Sequence, residues 1–158
     1  MTALFDEATS EDDPRRGPHR APCYPRVVVR FGHSGRDYGA GEWLTFEYAI
    51  QGLEDETVRA LERSVLWYTE GKGEEDLGVH FFERIASLAD LNAVVPEGTV
   101  AVQLPVTPLS YEGVIVKIRW CARLRLFFDS GRDHVSEHVF TVGRIPPSIL
   151  ARGDGDEG

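Results

Sequence analysis

The longest hydrophobic pattern of the chain runs from Val114 to Phe128, where apolar residues occupy every even position. Alternation with a period of two predicts a β-strand with one face on a core and the other in water. A helix is excluded, because the cations at the odd positions would then be spread around its whole circumference. A strand of this length would extend over roughly 50 Å, so we expect a bend or bulge within it. The cations are Lys117, Arg119, Arg123 and Arg125.

Six further segments have the composition of strands, with β-branched and aromatic residues between Gly- and Pro-containing turns. Residues 86–95 predict no more than a turn of helix. Seven strands with hardly any helix predict an all-β fold, an antiparallel β-sandwich of about seven to eight strands. The six segments are Arg26–Phe31, Trp43–Ile50, Val58–Thr69, Gly78–Ile85, Thr99–Leu104 and His134–Val142.

The third of these segments has a less regular pattern than the others. Its apolar face also holds Arg59 and Arg63, which a bulge near residues 60–63 would explain. A helix over residues 54–66 is an alternative, because the apolar spacing also suits a helical period. The β-branched and aromatic residues at the end of the segment favour the strand.

Length and charge limit the function classes. A chain of 158 residues predicts one domain, and its net charge of −9 leaves −5 on residues 26–150, from 18 acids and 13 bases. This balance argues against nonspecific nucleic-acid binding, which needs a basic surface.

No apolar run predicts a membrane span or a secretory signal, so we expect a cytoplasmic protein. The spacing of Cys23 and Cys121 predicts neither a disulfide framework nor a metal site. The preference for arginine over lysine suggests a GC-rich bacterial genome.

Composition also divides the chain. Residues 1–25 combine acids with four prolines and show no periodicity, which predicts a disordered leader. Residues 144–158 predict a flexible tail, and the folded domain is expected at residues 26–143.

Three short motifs resemble those of arrestin-like domains of the N-terminal type, as found in small bacterial proteins related to sporulation control. They are Leu-Pro-x-x-Pro-x-Ser-Tyr-Glu-Gly at 104–113, Ile-Arg-Trp-x-x-Arg at 118–123 and Glu-x-x-Phe-x-Val at 137–142. The resemblance covers about residues 26–143 and implies an immunoglobulin-like, arrestin-type β-sandwich with a scaffold or adaptor role. Two-domain arrestins recognise phosphorylated receptors between their domains, so that activity and its residues are not transferred to one domain. The residues that carry the fold motif are Leu104, Pro105, Pro108, Ser110, Tyr111, Gly113, Trp120 and Phe140.

The sequence contains no catalytic or metal-binding motif, so we predict no enzyme activity, catalytic residue, metal or cofactor. His134 and His138 would lie about 13 Å apart on a strand, too far for one ion. His80 is expected to be an exposed residue of a sheet. The acidic segment Glu70–Asp76 predicts a solvated hairpin tip. The alternative is a small-ligand or calcium-binding accessory domain that uses this hairpin and the Gly-rich loop at residues 32–41.

Two interpretations of the basic strand face remain open. The cations could pair across strands with Glu47, Glu62 and Glu83, or they could bind an acidic or phosphorylated segment of a protein partner. A second route to a partner is the addition of a peptide strand at an open sheet edge, either Arg26–Phe31 or the last strand. A homodimer is also possible, because a lone domain of this type could cover a free face by self-association.

Overall fold

The structure, a computed structural model, describes residues 24–143. The leader predicted for residues 1–25 and the tail predicted for 144–158 lie outside this range, apart from Tyr24 and Pro25. The described residues form nine strands and one helix. In chain order these are β1 (Arg26–Phe31), β2 (Asp37–Tyr38), β3 (Trp43–Gln51), β4 (Val58–Gly71), β5 (Leu77–Ile85), α1 (Leu88–Val94), β6 (Glu97–Gln103), β7 (Tyr111–Glu112), β8 (Val116–Phe128) and β9 (Asp133–Val142).

Two sheets form the sandwich. The smaller sheet has the strand order β1-β3-β6, and the larger has the order β2-β9-β8-β4-β5, with β7 added to β8. All pairs are antiparallel except β2 and β9, which are parallel over Asp37–Tyr38 and Thr141–Val142. The predicted sandwich is confirmed. The two additional strands, β2 and β7, have only two residues each, too short to show a period.

The long alternating segment forms β8, which pairs with β4, β7 and β9. Its even-numbered side chains from Trp120 to Phe128 are almost completely buried. The strand begins at Val116 rather than at the predicted Val114, because Gly113 N–H bonds the carbonyl of Val116 and closes a turn. The expected bulge is not in β8, whose register with β9 is regular.

Both irregularities of the large sheet lie in the pairing of β4. A register shift between Val58 and Ala60 leaves Arg59 without a partner on β8 and exposes it. A second shift between Val65 and Leu66 accommodates an extra residue in β5. The predicted bulge near residues 60–63 is therefore misplaced, and the helix over 54–66 is wrong. Arg63 stays on the core face.

The core lies between the two sheets and includes an aromatic group of Phe31, Tyr38, Trp120 and Phe140, with ring centroids 5.6–6.5 Å apart. The burial of each large side chain stabilises the fold by roughly 1.5–3 kcal/mol. The helix α1 connects the two sheets and buries Leu91. Within the described residues, no helix is long and apolar enough to cross a membrane.

The connections are divided between the two ends of the sandwich. The β3–β4 connection and α1 lie at one end. Residues 32–42, the β4–β5 hairpin at 71–76 and residues 104–115 lie at the other, which we call the loop end.

Candidate functional site

The four predicted cations project from the outer face of β8, and each forms at least one ion pair with an acid of a neighbouring element. Arg123 and Arg125 pair with β9, at 2.7 Å from Glu137 and 2.7 Å from Asp133. The other two pair with acids at the loop end of the sheet. These contacts are Lys117–Glu112 at 3.4 Å, Arg119–Glu112 at 3.2 Å and Arg119–Glu70 at 2.7 Å.

The three acids predicted as their partners are engaged elsewhere, and this prediction is wrong. Glu47 lies in the other sheet and pairs with Arg30. Glu62 lies opposite Arg125 on β4, but its carboxylate bonds Arg84 of β5 at 2.7 Å. Glu83 points inward. Partner choice depends on which strands are adjacent and on the direction of each side chain, and neither is local in sequence.

The ion-paired residues of this outer face carry no net charge. Five cations (Arg84, Lys117, Arg119, Arg123 and Arg125) face five acids (Glu62, Glu70, Glu112, Asp133 and Glu137). The acid excess of the chain therefore lies outside this set of residues.

An apolar row crosses the same face. The aligned residues are Val79, Leu66, Cys121 and Val139, on β5, β4, β8 and β9 respectively. Leu66 and Cys121 are fully buried but do not belong to the core cluster, whereas Val79 and Val139 are exposed. Burial raises the pKa of the Cys121 thiol to about 12, with a further rise from Glu137 and an opposing effect of Arg123. Cys121 is consequently a packing residue and not a nucleophile.

Further exposed apolar side chains widen this row. Leu77 and Phe82 of β5 and Val135 of β9 project from the same face. A groove of about 430 Å³ lies beside them, and its lining includes Tyr68, Leu77, Arg123 and Glu137. We call the outward side chains of β4, β5, β7, β8 and β9 the outer face of the large sheet.

The sheet edges agree only in part with those predicted as sites for strand addition. β1 is an edge of the small sheet, as that proposal requires. The last strand is partly covered, because β2 pairs with Thr141 and Val142. The sequence interpretation did not consider β5, which is the other edge of the large sheet.

Side chains from the large sheet close the edge of β6. Arg63 is only 8% exposed and donates through Nη1 to the Tyr48 hydroxyl and the Thr99 carbonyl, both at 3.4 Å. Its Nη2 bonds Glu83 at 2.5 Å. His80 Nε2 lies 2.7 Å from the Gln103 carbonyl. These contacts occupy two carbonyls of β6 and connect the sheets along this side.

The environment of Arg63 keeps it charged. Burial opposes the charge, but the hydrogen bond to Glu83 and the contacts with Tyr48 outweigh burial, so the pKa of Arg63 lies above its ordinary value. Burial also raises the pKa of Tyr48, although Arg63 opposes this. Sequence reasoning missed this cluster, because Arg63 was treated only as a break in the hydrophobic pattern.

The motif residues anchor the segment 104–115 to β8 and β9 at the loop end. Trp120 Nε1 donates to the Pro108 carbonyl at 2.9 Å. Ser110 and Val142 exchange two hydrogen bonds, from Ser110 N–H to the carbonyl at 2.8 Å and from Val142 N–H to Oγ at 2.9 Å. Gly113 is required by space, because a Cβ there would lie 2.3 Å from the Tyr111 ring. Leu104 and Phe140 are buried, and Pro105 accepts a hydrogen bond from Gly41.

The geometry does not favour the small-ligand alternative. The Gly-rich loop and the hairpin do share the loop end, but Glu70 of the hairpin pairs with Arg119. In residues 24–143, no three His, Cys, Asp or Glu side chains are grouped to hold a metal ion. His138 Nε2 lies 2.7 Å from Ser136 Oγ.

No protein-family model matches the chain, and no curated protein matches it in sequence. Among solved structures, Spo0M, a sporulation control protein from Bacillus subtilis, is similar with a TM-score of 0.52 and 14% identity. The match covers 77% of this chain and 50% of Spo0M, so the chain spans about half the length of that protein. A superoxide reductase (neelaredoxin) from Ignicoccus hospitalis matches at a TM-score of 0.43, with 10% identity over 75% of this chain and 80% of that one, which is too weak to carry an argument. At this identity the likeness to Spo0M shows the fold alone, and the chain therefore has the arrestin-like β-sandwich that its motifs predicted.

Proposed function

We propose that this domain is a non-enzymatic protein-interaction module of the scaffold or adaptor type, and that the outer face of the large sheet binds its partner. One observation carries the proposal: exposed apolar side chains lie on this face among charges that are already neutralised by ion pairs. Such a face can be covered by a partner without leaving an unpaired charge buried. The free, buried thiol of Cys121 suits the reducing cytoplasm.

The basic residues of β8 have a defined place in this proposal. The polar rim consists of Lys117, Arg119, Arg123 and Arg125. The centre of the contact is the apolar row, which includes Val139, together with Val135. An acidic group of the partner would bind an arginine here only in competition with its acid in the sheet. Apolar contact then supplies the affinity, and the charged rim supplies the orientation.

The test is capture of a partner from an extract of the source organism, with the full chain as bait. The double variant Val135→Lys and Val139→Lys should lose the captured protein, because two charges enter the apolar centre. Val28→Lys, on the outer face of the small sheet, is the matched control and should retain it. Equal capture by both baits would refute the assignment of this face.

A charge exchange at one ion pair tests the contribution of the rim to partner binding without changing the stability of the fold. Arg123→Glu with Glu137→Arg restores the ion pair in reverse, so folding should be unaffected. If this double variant no longer captured the partner, binding would depend on the sign of the charge at position 123. Retained capture would restrict Arg123 to a role within the sheet.

A further inference from the structure

The edge strand β5 combines an open edge with exposed apolar side chains. No strand within residues 24–143 pairs with its outer edge. Leu77, Val79 and Phe82 are 55%, 55% and 57% exposed. An uncovered apolar edge is a template for pairing with another strand, and proteins usually blunt it with charges or cover it.

The extra residue of β5 gives this strand a symmetric pattern of side-chain directions. Val79 lies opposite Leu66 and faces outward, whereas Phe81 lies opposite Val65 and faces the core, so the register shift falls at His80. His80 also points to the core side, since its ring lies edge-on to Trp120 at 6.1 Å. From residue 77 to residue 84 the directions are therefore out, in, out, in, in, out, in, out, and they read the same from either end.

We propose that β5 pairs antiparallel with β5 of a second copy of this chain, about a two-fold axis between His80 and Phe81. In this register every outward residue lies opposite an outward residue, and every inward residue opposite an inward one. Val79 lies opposite Phe82 of the partner subunit, and this apolar pair occurs twice. Leu77 lies opposite Arg84 of the partner subunit, whose guanidinium bonds Glu62 of its own chain. If the register were shifted by one residue, outward apolar side chains would lie opposite residues of the second copy whose side chains point to its core.

The charges near the strand ends favour a second copy in this orientation. The hairpin before β5 carries Glu74, Glu75 and Asp76 against Lys72, a net charge of −2. Near the end of β5, Arg59 of the adjacent strand is exposed, whereas Arg84 is paired with Glu62. Antiparallel pairing places Asp76 opposite Ile85 of the partner subunit, at the end of the strand where the partner's Arg59 is exposed. Parallel pairing would bring the two acidic hairpins together.

The two edges of the small sheet, β1 and β6, are less suited to a second copy. On β1, Val28 lies between Arg26 and Arg30 on the same exposed face, so antiparallel self-pairing there would oppose arginines. On β6, two carbonyls are already bonded by Arg63 and His80. Compared with the two edges of the small sheet, the β5 edge is therefore better suited to a second copy.

The experiment is sedimentation of the purified full chain and of two single variants, Val79→Lys and Phe82→Glu. We expect a dimer for the natural sequence, and a dimer affinity lowered at least about tenfold for each variant alone. Mixing the two variants should restore a one-to-one heterodimer, because the introduced lysine of one chain then lies opposite the introduced glutamate of the other, while one apolar pair of Val79 with Phe82 remains. Val135→Lys, on the same face but away from the edge, is the control and should remain dimeric.

Each other result overturns the proposal. A monomer at high concentration excludes the second copy as the occupant of β5, and an extended peptide that then protects β5 from amide exchange would identify another protein as the occupant. Dimers of Val79→Lys as strong as those of the natural sequence would place the contact elsewhere, and a mixture without heterodimer would refute the register. The measurement uses no partner protein, so its failure is separate from a failure of the proposed function, which Val135→Lys with Val139→Lys tests.

Discussion

At the residue scale, Arg63 shows how the fold neutralises a charge that its hydrophobic pattern places inside. Its Nη atoms bond Glu83, Tyr48 and the Thr99 carbonyl, whereas Nε has no partner within the described chain. The Glu83 carboxylate is half-exposed, but its removal would leave the buried guanidinium of Arg63 uncompensated, which costs more than the pair contributes. The cluster should therefore be far more sensitive to substitution than the ion pairs of the outer face.

Glu83→Gln tests this sensitivity. We expect it to lower the free energy of unfolding by about 1–3 kcal/mol, since the hydrogen bond to a buried guanidinium loses its charge. Glu47→Gln is the matched control, because the Arg30–Glu47 pair is exposed and contributes about 1 kcal/mol or less. Urea unfolding of both variants measures the difference. Equal effects would mean that Arg63 is solvated in solution.

Cys121 gives a pH-dependent prediction. Its folded pKa of about 12 lies above the ordinary value of 9.0, so between these values the unfolded thiol loses its proton first. The unfolded state then binds fewer protons, and stability falls as the pH rises from 9 towards 12. The high pKa of Tyr48 acts in the same direction at higher pH. Urea unfolding should show a decline that begins at lower pH in the natural sequence than in Cys121→Val.

The same burial predicts chemical inertness. In a Cys23→Ser background, Cys121 should not react with a disulfide reagent at pH 8 in the native state and should react completely in denaturant. Rapid native reaction would show that the outer face opens.

At the element scale, two edge strands rely on glycines that lie beneath large aromatic side chains. A Cβ on Gly98 of β6 would lie 2.3 Å from the Tyr48 hydroxyl, and one on Gly78 of β5 would lie 2.2 Å from Trp67 Nε1. Tyr48 cannot move freely, because its hydroxyl donates to the Val94 carbonyl at 2.8 Å and accepts from Arg63. Both aromatic rings lie on the side of the sandwich where the edges of β5 and β6 meet.

Gly98→Ala should consequently destabilise the fold by about 1–3 kcal/mol through overpacking. Gly35→Ala is the control, because its nearest neighbour is the flexible end of Asp37 at 3.1 Å and its effect should be small. Thermal unfolding of the two variants measures the difference. A neutral Gly98→Ala would show that Tyr48 can shift without losing its hydrogen bonds.

How well the sequence predicted each element depends on where the signal for that element lies. Some signals lie within the element itself, and others lie in residues distant along the chain. The pattern of β8 sufficed, because its period is carried by the residues themselves over the whole strand. β2 could not be predicted, because its two residues are too few to show a period. They are held as a strand by pairing with β9, more than 90 positions away. The ion pairs of Arg119 and Arg123 required knowledge of the neighbouring strands, and the open edge of β5 required the strand order. The fold class and the basic strand of the candidate surface were thus predictable, whereas the apolar row and the open edge beside it were not.

At the scale of the whole molecule, the distribution of charge limits how this domain can associate. The chain carries −9, but the ion-paired set on the outer face of the large sheet sums to zero. Two copies therefore repel each other in most orientations, and the ion-paired set of this face adds no net charge to that repulsion. A dimer formed there would join two outer faces into one continuous surface for a partner.

Such a dimer links stability to protein concentration. If folding and β5 pairing are coupled, mass action raises the thermal midpoint by about 2–3 °C for each tenfold increase in concentration, given the unfolding entropy of two domains of about 120 residues. The midpoint of Val79→Lys should not change with concentration, and that of Val135→Lys should change as in the natural sequence. Scanning calorimetry over a hundredfold range of concentration measures all three. A constant midpoint for the natural sequence would mean that its chains unfold as monomers, and parallel shifts for Val79→Lys would place the association at a surface other than β5.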